Sequence, residues 1–212
     1  MSNNTLPSLH GLYAITDPQL SPGETLFQHV EACVSAGTQW LQYRDKETSF
    51  DRKLAIAAKL HTICQRHQSQ LIINDDLALA KELGAHIHLG QEDSPIDEAR
   101  RVLGKETVIG ATCHNSLDLA EQAVKAGASY LAFGAMFTSP TKPNAIPADL
   151  GILQEAKAAF GLPVVAIGGI SLDNAAQVID HGADMIAVIS AIFASDNIQQ
   201  RCRAFHRLFA QS

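Results

Sequence analysis

The chain is poor in cysteine: Cys33, Cys64, Cys113 and Cys202 are the only four in 212 residues, and none stand in a Cys-x-x-Cys spacing. That excludes a zinc ribbon or a dithiol redox motif and leaves reduced thiols, mostly buried. No apolar run approaches the roughly 18 residues of a spanning helix. The first ten residues lack the charged-then-apolar order of a signal peptide, so a cytoplasmic protein without a membrane partner is expected. Positive charge is also scarce. Lys and Arg total 16 against 22 Asp and Glu, a net charge of -6, which removes the nonspecific attraction to nucleic acid. Aromatic residues are few, 6% with a single tryptophan, and in an acidic chain they serve packing rather than base stacking.

What is present is an ordinary globular composition, 46% hydrophobic and 18% charged, able to build a sizeable core. Short apolar, β-rich runs alternate with longer segments of helical period. The runs are Leu12 to Thr16, Trp40 to Arg44, Leu71 to Asn74, His86 to Gly90, Val108 to Cys113, Tyr130 to Met136, Pro163 to Gly168 and Met185 to Ser190. Helical segments include Glu24 to Ala36, Phe50 to His67, Ser116 to Ala126, Ala148 to Phe160 and a closing Ile198 to Ala210. Eight βα units predict a (β/α)8 TIM barrel, an α/β fold in a single domain over residues 1–212 with a polar tail over about residues 1–10. An open doubly wound sheet would also alternate. The barrel is favoured because polar residues follow nearly every run, and a barrel gathers strand ends onto one face.

Several of those ends carry candidate chemistry. Gly168-Gly169 and Ile189-Ser190 have the character of phosphate loops after strands seven and eight, where glycine lets backbone N–H groups approach an anion. A tight turn and a helix cap are the alternatives. Asn74-Asp75 and Asp93 end consecutive strands and could offer two carboxylates to one Mg2+, although Asp76, Glu92 and Asp93 could equally be loop acids or caps. Gln42, Arg44 and Lys46, spaced by two, project an amide and two cations to one face, with Asp45 and Glu47 alternating between them. Lys142 follows Ser139-Pro140-Thr141 in a proline-rich stretch long enough to act as a lid. His86 and His88 have a chelating spacing but no evident third ligand. Cys113 and His114, neighbours in a strand, point to opposite faces and cannot pair as nucleophile and base.

Taken in order, Gln42-Tyr43-Arg44-Asp45-Lys46, Ile73-Asn74-Asp75, His88-Leu89-Gly90-Gln91-Glu92-Asp93, Ser139-Pro140-Thr141-Lys142, Ala166-Ile167-Gly168-Gly169-Ile170 and Ala187-Val188-Ile189-Ser190-Ala191-Ile192 closely resemble thiamine phosphate synthases. The resemblance runs from about Leu12 to Ile192. It implies a barrel enzyme that joins an aminopyrimidine methyl diphosphate to a hydroxyethylthiazole phosphate, releasing diphosphate and using Mg2+. By position it implies that Gln42, Arg44, Lys46, Asn74 and Lys142 hold the pyrimidine diphosphate, and Asp75 and Asp93 the metal. Ser139, Pro140, Thr141, Gly169, Ile189 and Ser190 would hold the thiazole phosphate. The family usually has serine in a Gly-Val-Ser run where this chain reads Gly110-Ala111-Thr112, so Thr112 must supply that hydroxyl. Arg44, Lys46, Lys142 and Thr112 are then the catalytic candidates, the partners are the two small substrates, and a homo-oligomer is possible.

The nearest rival is a thiazole tautomerase of the same barrel, which uses a histidine after strand six and lacks the Asn-Asp and metal acids. Here that stretch reads Gly134-Ala135-Met136-Phe137. A non-catalytic thiazole phosphate sensor would have no use for Arg44, Lys46 and Asp75. Another sugar-phosphate barrel enzyme would not require the run from Gln42 to Lys46.

Overall fold

Each apolar run becomes a strand whose two faces meet different neighbours, because successive side chains point to opposite sides of a sheet. The computed structural model describes residues 8–138 and 148–210. Its strands are β1 (Gly11–Ile15), β2 (Trp40–Tyr43), β3 (Gln70–Asn74), β4 (His86–Leu89), β5 (Ile109–His114), β6 (Tyr130–Phe133), β7 (Val164–Ile167) and β8 (Met185–Val188). All pair in parallel and in sequence order, and β1 pairs β8 to close the barrel. The open sheet is thereby excluded.

One set of side chains, including Leu12, Leu41, Leu71, Ile73, Ile87 and Ile186, packs outward against the helices. The alternate set, including Tyr13, Trp40, Ile72, Tyr130, Val165 and Met185, fills the barrel itself. Burying each large apolar side chain is worth about 1.5–3 kcal/mol, so the double-sided burial of such short strands compensates for their length. Trp40 is fully buried low in the barrel, where its indole N–H donates to the Ser8 carbonyl at 2.9 Å.

The helices are α1 (Thr25–Ser35), α2 (Phe50–Arg66), α3 (Leu77–Leu83), α4 (Ile96–Leu103), α5 (Leu117–Ala126), α6 (Gly151–Phe160), α7 (Ala175–Asp180), α8 (Ser190–Phe193) and α9 (Ile198–Phe209). Asp76 caps α3 by accepting the Leu79 N–H at 3.0 Å, and Ser116 caps α5 by accepting the Leu119 N–H at 3.3 Å. Gly84 and Gly127, left-handed at φ 61° and 95°, end these two helices. Arg100 of α4 ties this side together: its guanidinium donates to the carbonyls of Thr107 at 2.6 Å and Gly127 at 2.7 Å. No described helix is long and apolar enough to cross a membrane.

Most boundaries differ from the sequence pattern by one or two residues, and the largest departures follow β6 and precede α6. The run Tyr130 to Met136 leaves the regular ladder after Phe133, yet Met136 and Phe137 still donate to the carbonyls of Ile167 and Gly168. An apolar pattern cannot distinguish a strand from an ordered loop that borrows bonds from its neighbour. Helix α6 begins at Gly151 rather than Ala148, because the Asp149 carboxylate accepts the Gly151 N–H at 2.9 Å and holds the approach as a turn.

Candidate active site

The C-terminal ends of β2, β3 and β4 lie side by side, with Gln42 opposite Ile72 and Asn74 opposite His88 in register. Asp75 follows β3 in the left-handed region at φ 64°, a conformation aspartate tolerates better than most residues. Its N–H donates to the His88 carbonyl at 2.9 Å, which fixes this turn to β4. From the loop after β2, the Lys46 ammonium reaches the Asp75 carboxylate at 3.0 Å. From the loop after β4, the Asp93 carboxyl comes close enough to that of Asp75 for each to shift the other's titration, and it accepts the Gly90 N–H at 2.6 Å.

These contacts split the two acids. Burial pushes the Asp75 carboxyl up, but the Asp93 hydrogen bond, the Lys46 ammonium and Asn74 outweigh it and hold Asp75 below the ordinary carboxylate value. Burial and the hydrogen bond with Asp75 raise Asp93, with the Gly90 N–H opposing. Two carboxylates in contact favour sharing a proton or a cation. Among the described residues no group of three or more His, Cys, Asp or Glu could hold a metal ion. A pair of acids on a rim fits Mg2+, which binds through one or two carboxylates and draws other ligands from water and phosphate oxygens.

Asp45, between Arg44 and Lys46 in sequence, accepts the N–H groups of Glu47 and Thr48 at 3.0 and 3.1 Å. It shapes the loop and leaves Lys46 to Asp75. Arg44 is half-buried, its N–H donating to the Thr16 hydroxyl at 3.0 Å. Asp76 faces away from the acid pair in function: it caps α3 and lies 3.8 Å from Lys53.

Across the mouth, Gly168 and Gly169 follow β7 with φ 102° and 65°. A Cβ on Gly169 would stand 2.6 Å from the carbonyl oxygens of both Phe137 and Thr138, so only glycine fits. The Asn174 amide donates to the Gly169 carbonyl at 3.0 Å and holds the turn. After the adjacent β8, Ile189 stands at the cap position and the exposed Ser190 opens the four-residue α8. Ser190 is therefore the first helical residue, one place later than a cap. Ser139, Pro140, Thr141 and Lys142 lie outside the described residues.

The polar residues within the barrel form a continuous chain. The Gln42 amide nitrogen donates to the Tyr13 hydroxyl at 2.6 Å, and the Tyr13 and Tyr130 hydroxyls are 2.9 Å apart. The Tyr130 hydroxyl lies 2.9 Å from His88 Nδ1, and His88 Nε2 lies 2.9 Å from the Thr112 hydroxyl. Burial lowers the His88 pKa to about 4, so the ring is neutral. Both His88 nitrogens are engaged, and His86 Nδ1 accepts the Val108 N–H at 3.1 Å; the His-x-His spacing serves the barrel rather than chelation. Tyr13 and Tyr130 carry little signal in the sequence, only a polar tip at the inward period of an apolar strand. Cys113 is buried and its thiol is pushed up to about 12, chiefly by burial. A separate cleft of about 440 Å³ is lined by Asn115, Ser116, Asp118, Asp149 and Glu155. Its carboxylates make it unsuitable for phosphorylated substrates.

The family model for thiamine monophosphate synthase matches residues 12–192. The fold is similar to that of thiamine phosphate pyrophosphorylase from Pyrococcus furiosus, with 30% identity, a TM-score of 0.85 and 96% of each chain covered. It is also similar to a thiamine phosphate pyrophosphorylase from Bacteroides thetaiotaomicron, at 18% identity and a TM-score of 0.66 over 93% of this chain and 96% of that one. The geranylgeranylglyceryl phosphate synthase of Thermoplasma acidophilum, solved with sn-glycerol-1-phosphate, matches at 16% identity and a TM-score of 0.69 over 96% and 94%. The last two likenesses concern the fold alone.

Proposed function

This chain belongs to the thiamine monophosphate synthase family, and on that premise we propose that it condenses an aminopyrimidine methyl diphosphate with a thiazole phosphate at the barrel mouth, giving thiamine phosphate and diphosphate. The observation that carries the reading is the junction of Lys46, Asp75 and Asp93, which joins a cation to two carboxylates contributed by three consecutive strand ends. A tautomerase or a phosphate sensor has no use for that junction.

In this reading Gln42 and Asn74 orient the pyrimidine, while Arg44, Lys46 and Lys142 bind its diphosphate. Asp75 and Asp93 would hold Mg2+, which when bound neutralises charge on the diphosphate. The C–O bond to diphosphate breaks before the thiazole nitrogen attacks, because the amino-substituted ring can delocalise a cation at its methylene carbon. Negative charge then grows on the leaving oxygen, where fixed cations act at the moment of need. No protein nucleophile is required. Ser139, Pro140, Thr141, Gly169, Ile189 and Ser190 hold the thiazole phosphate beside β7 and β8, with its ring nitrogen toward the cation. Water must be kept from that cation, the task this reading gives to the proline-rich sequence around Lys142.

Titration with inorganic diphosphate in the presence and absence of Mg2+ tests this site directly. Binding should require the metal and fall at least tenfold in Lys46→Ala. Equal binding with and without Mg2+ would contradict the assignment.

A further inference from the structure

The hydrogen-bond chain through the barrel interior has a direction, and it ends at a partly exposed hydroxyl. It begins at Gln42, whose amide nitrogen carries only protons to give; Tyr13 must therefore accept from it. With the Gln42 nitrogen unable to accept, the Tyr13 proton has the Tyr130 oxygen, 2.9 Å away, as its acceptor. By the same count Tyr130 donates to His88 Nδ1. With Nδ1 taken as the acceptor, the ring proton lies on Nε2 and points to the Thr112 oxygen, 2.9 Å away. Thr112 has then accepted a bond within the barrel, and its own proton is available to a bound molecule.

The fold reserves room for this chain. A Cβ on Gly110 of β5 would stand 2.3 Å from the Tyr130 hydroxyl and 2.5 Å from His88 Nδ1, so a side chain there would break the central link. The five members come from β2, β1, β6, β4 and β5. Gln42, Tyr13, Tyr130 and His88 are buried, whereas Thr112 is partly exposed at the far end.

We propose that Tyr13, Tyr130 and His88 are positioning residues that act through Thr112, setting its hydroxyl as a donor toward the bound pyrimidine diphosphate while fixing the Gln42 amide that faces the same substrate. The proposal rests on the synthase reading for its substrate but not for its geometry. Of the two self-consistent polarities open to a chain with one proton per link, the Gln42 amide nitrogen selects this one.

Two measurements test it. The first is a double-mutant cycle on thiamine phosphate formation with Tyr130→Phe and Thr112→Val. Each single change should lower kcat by roughly tenfold or more, and the double variant should be no more than about threefold worse than Thr112→Val alone. KM for the thiazole phosphate should stay within about twofold throughout, and Thr112→Ser should retain most of the activity. Effects that multiply in the double variant would overturn the proposal, and Tyr13→Phe repeats the test at a different link. The second needs no turnover. In 15N-labelled protein His88, assigned by its loss in His88→Gln, should be the neutral tautomer with the proton on Nε2, and Tyr130→Phe should weaken that preference. A proton on Nδ1 in the unaltered protein would overturn the proposal even if no thiamine phosphate were formed. Lack of product together with the Nε2–H tautomer would reject the synthase reading and leave the polarity standing.

Discussion

The Asp75 and Asp93 carboxyls, eighteen residues apart in sequence, meet at the barrel rim, where each shifts the titration of the other. They cannot both be fully charged and in contact without a cation or a shared proton between them. Lys46, at 3.0 Å from Asp75, supplies part of that charge, and the loops after β2, β3 and β4 converge on one point as a result.

Asp75→Ala should lower turnover by about a hundredfold or more while circular dichroism and thermal unfolding remain close to the unaltered protein, since the side chain is at the rim and not in the core. Lys142→Ala should act similarly on turnover. Near-normal rates in both variants would contradict the site assignment.

Gly169→Ala should weaken thiazole phosphate binding. The added methyl meets two backbone carbonyls at 2.6 Å, which cannot rotate away as a flexible side chain would, and the residue is also left-handed. Titration with the thiazole phosphate checks this. Unchanged affinity would show that the turn after β7 does not shape that subsite.

Cys113→Ser should keep most of the activity. The thiol is buried, its pKa is pushed up to about 12, and its nearest polar partner is the Ala111 carbonyl at 3.6 Å, so no thiolate is available for chemistry near neutrality. Complete loss of turnover in a folded variant would reopen covalent catalysis.

Stability should fall as the pH drops from about 6.5 toward 4. The His88 pKa is lowered by burial to about 4 in the folded state, so over that window the unfolded chain binds the proton and the folded one does not. A shift of that size corresponds to roughly 3 kcal/mol once the full window is crossed. His88→Gln should flatten the pH dependence of urea unfolding in this range. Identical slopes for the two proteins would contradict a buried neutral histidine. The depressed carboxyl of Asp75 contributes in a different, more acidic window, where its stabilisation is lost as it protonates.

The barrel was legible because its strands are buried on both faces: Leu41 and Ile73 face helices while Trp40 and Ile72 face the interior, so each run is apolar throughout. The adjacency of Asp75 and Asp93 was legible too, since consecutive parallel strands must place their ends together. What sequence could not supply was the direction in which a polar side chain inside such a run is used. Tyr13 and Tyr130, 117 residues apart, meet only because the barrel closes. His88 was visible as half of a His-x-His pair, but the phenol that occupies its Nδ1 comes from β6, beyond any local pattern. Short helices such as α7 and α8 also escaped, because six and four residues are too few to establish a 3.6-residue period.

The most direct measurement is to incubate the purified protein with the pyrimidine methyl diphosphate and the thiazole phosphate, with Mg2+ or with EDTA, and to follow thiamine phosphate. The account predicts product with Mg2+ and loss of product with EDTA. Absence of product under both conditions, with thiazole phosphate still bound, would contradict the synthase and leave the acid pair a structural feature of the rim.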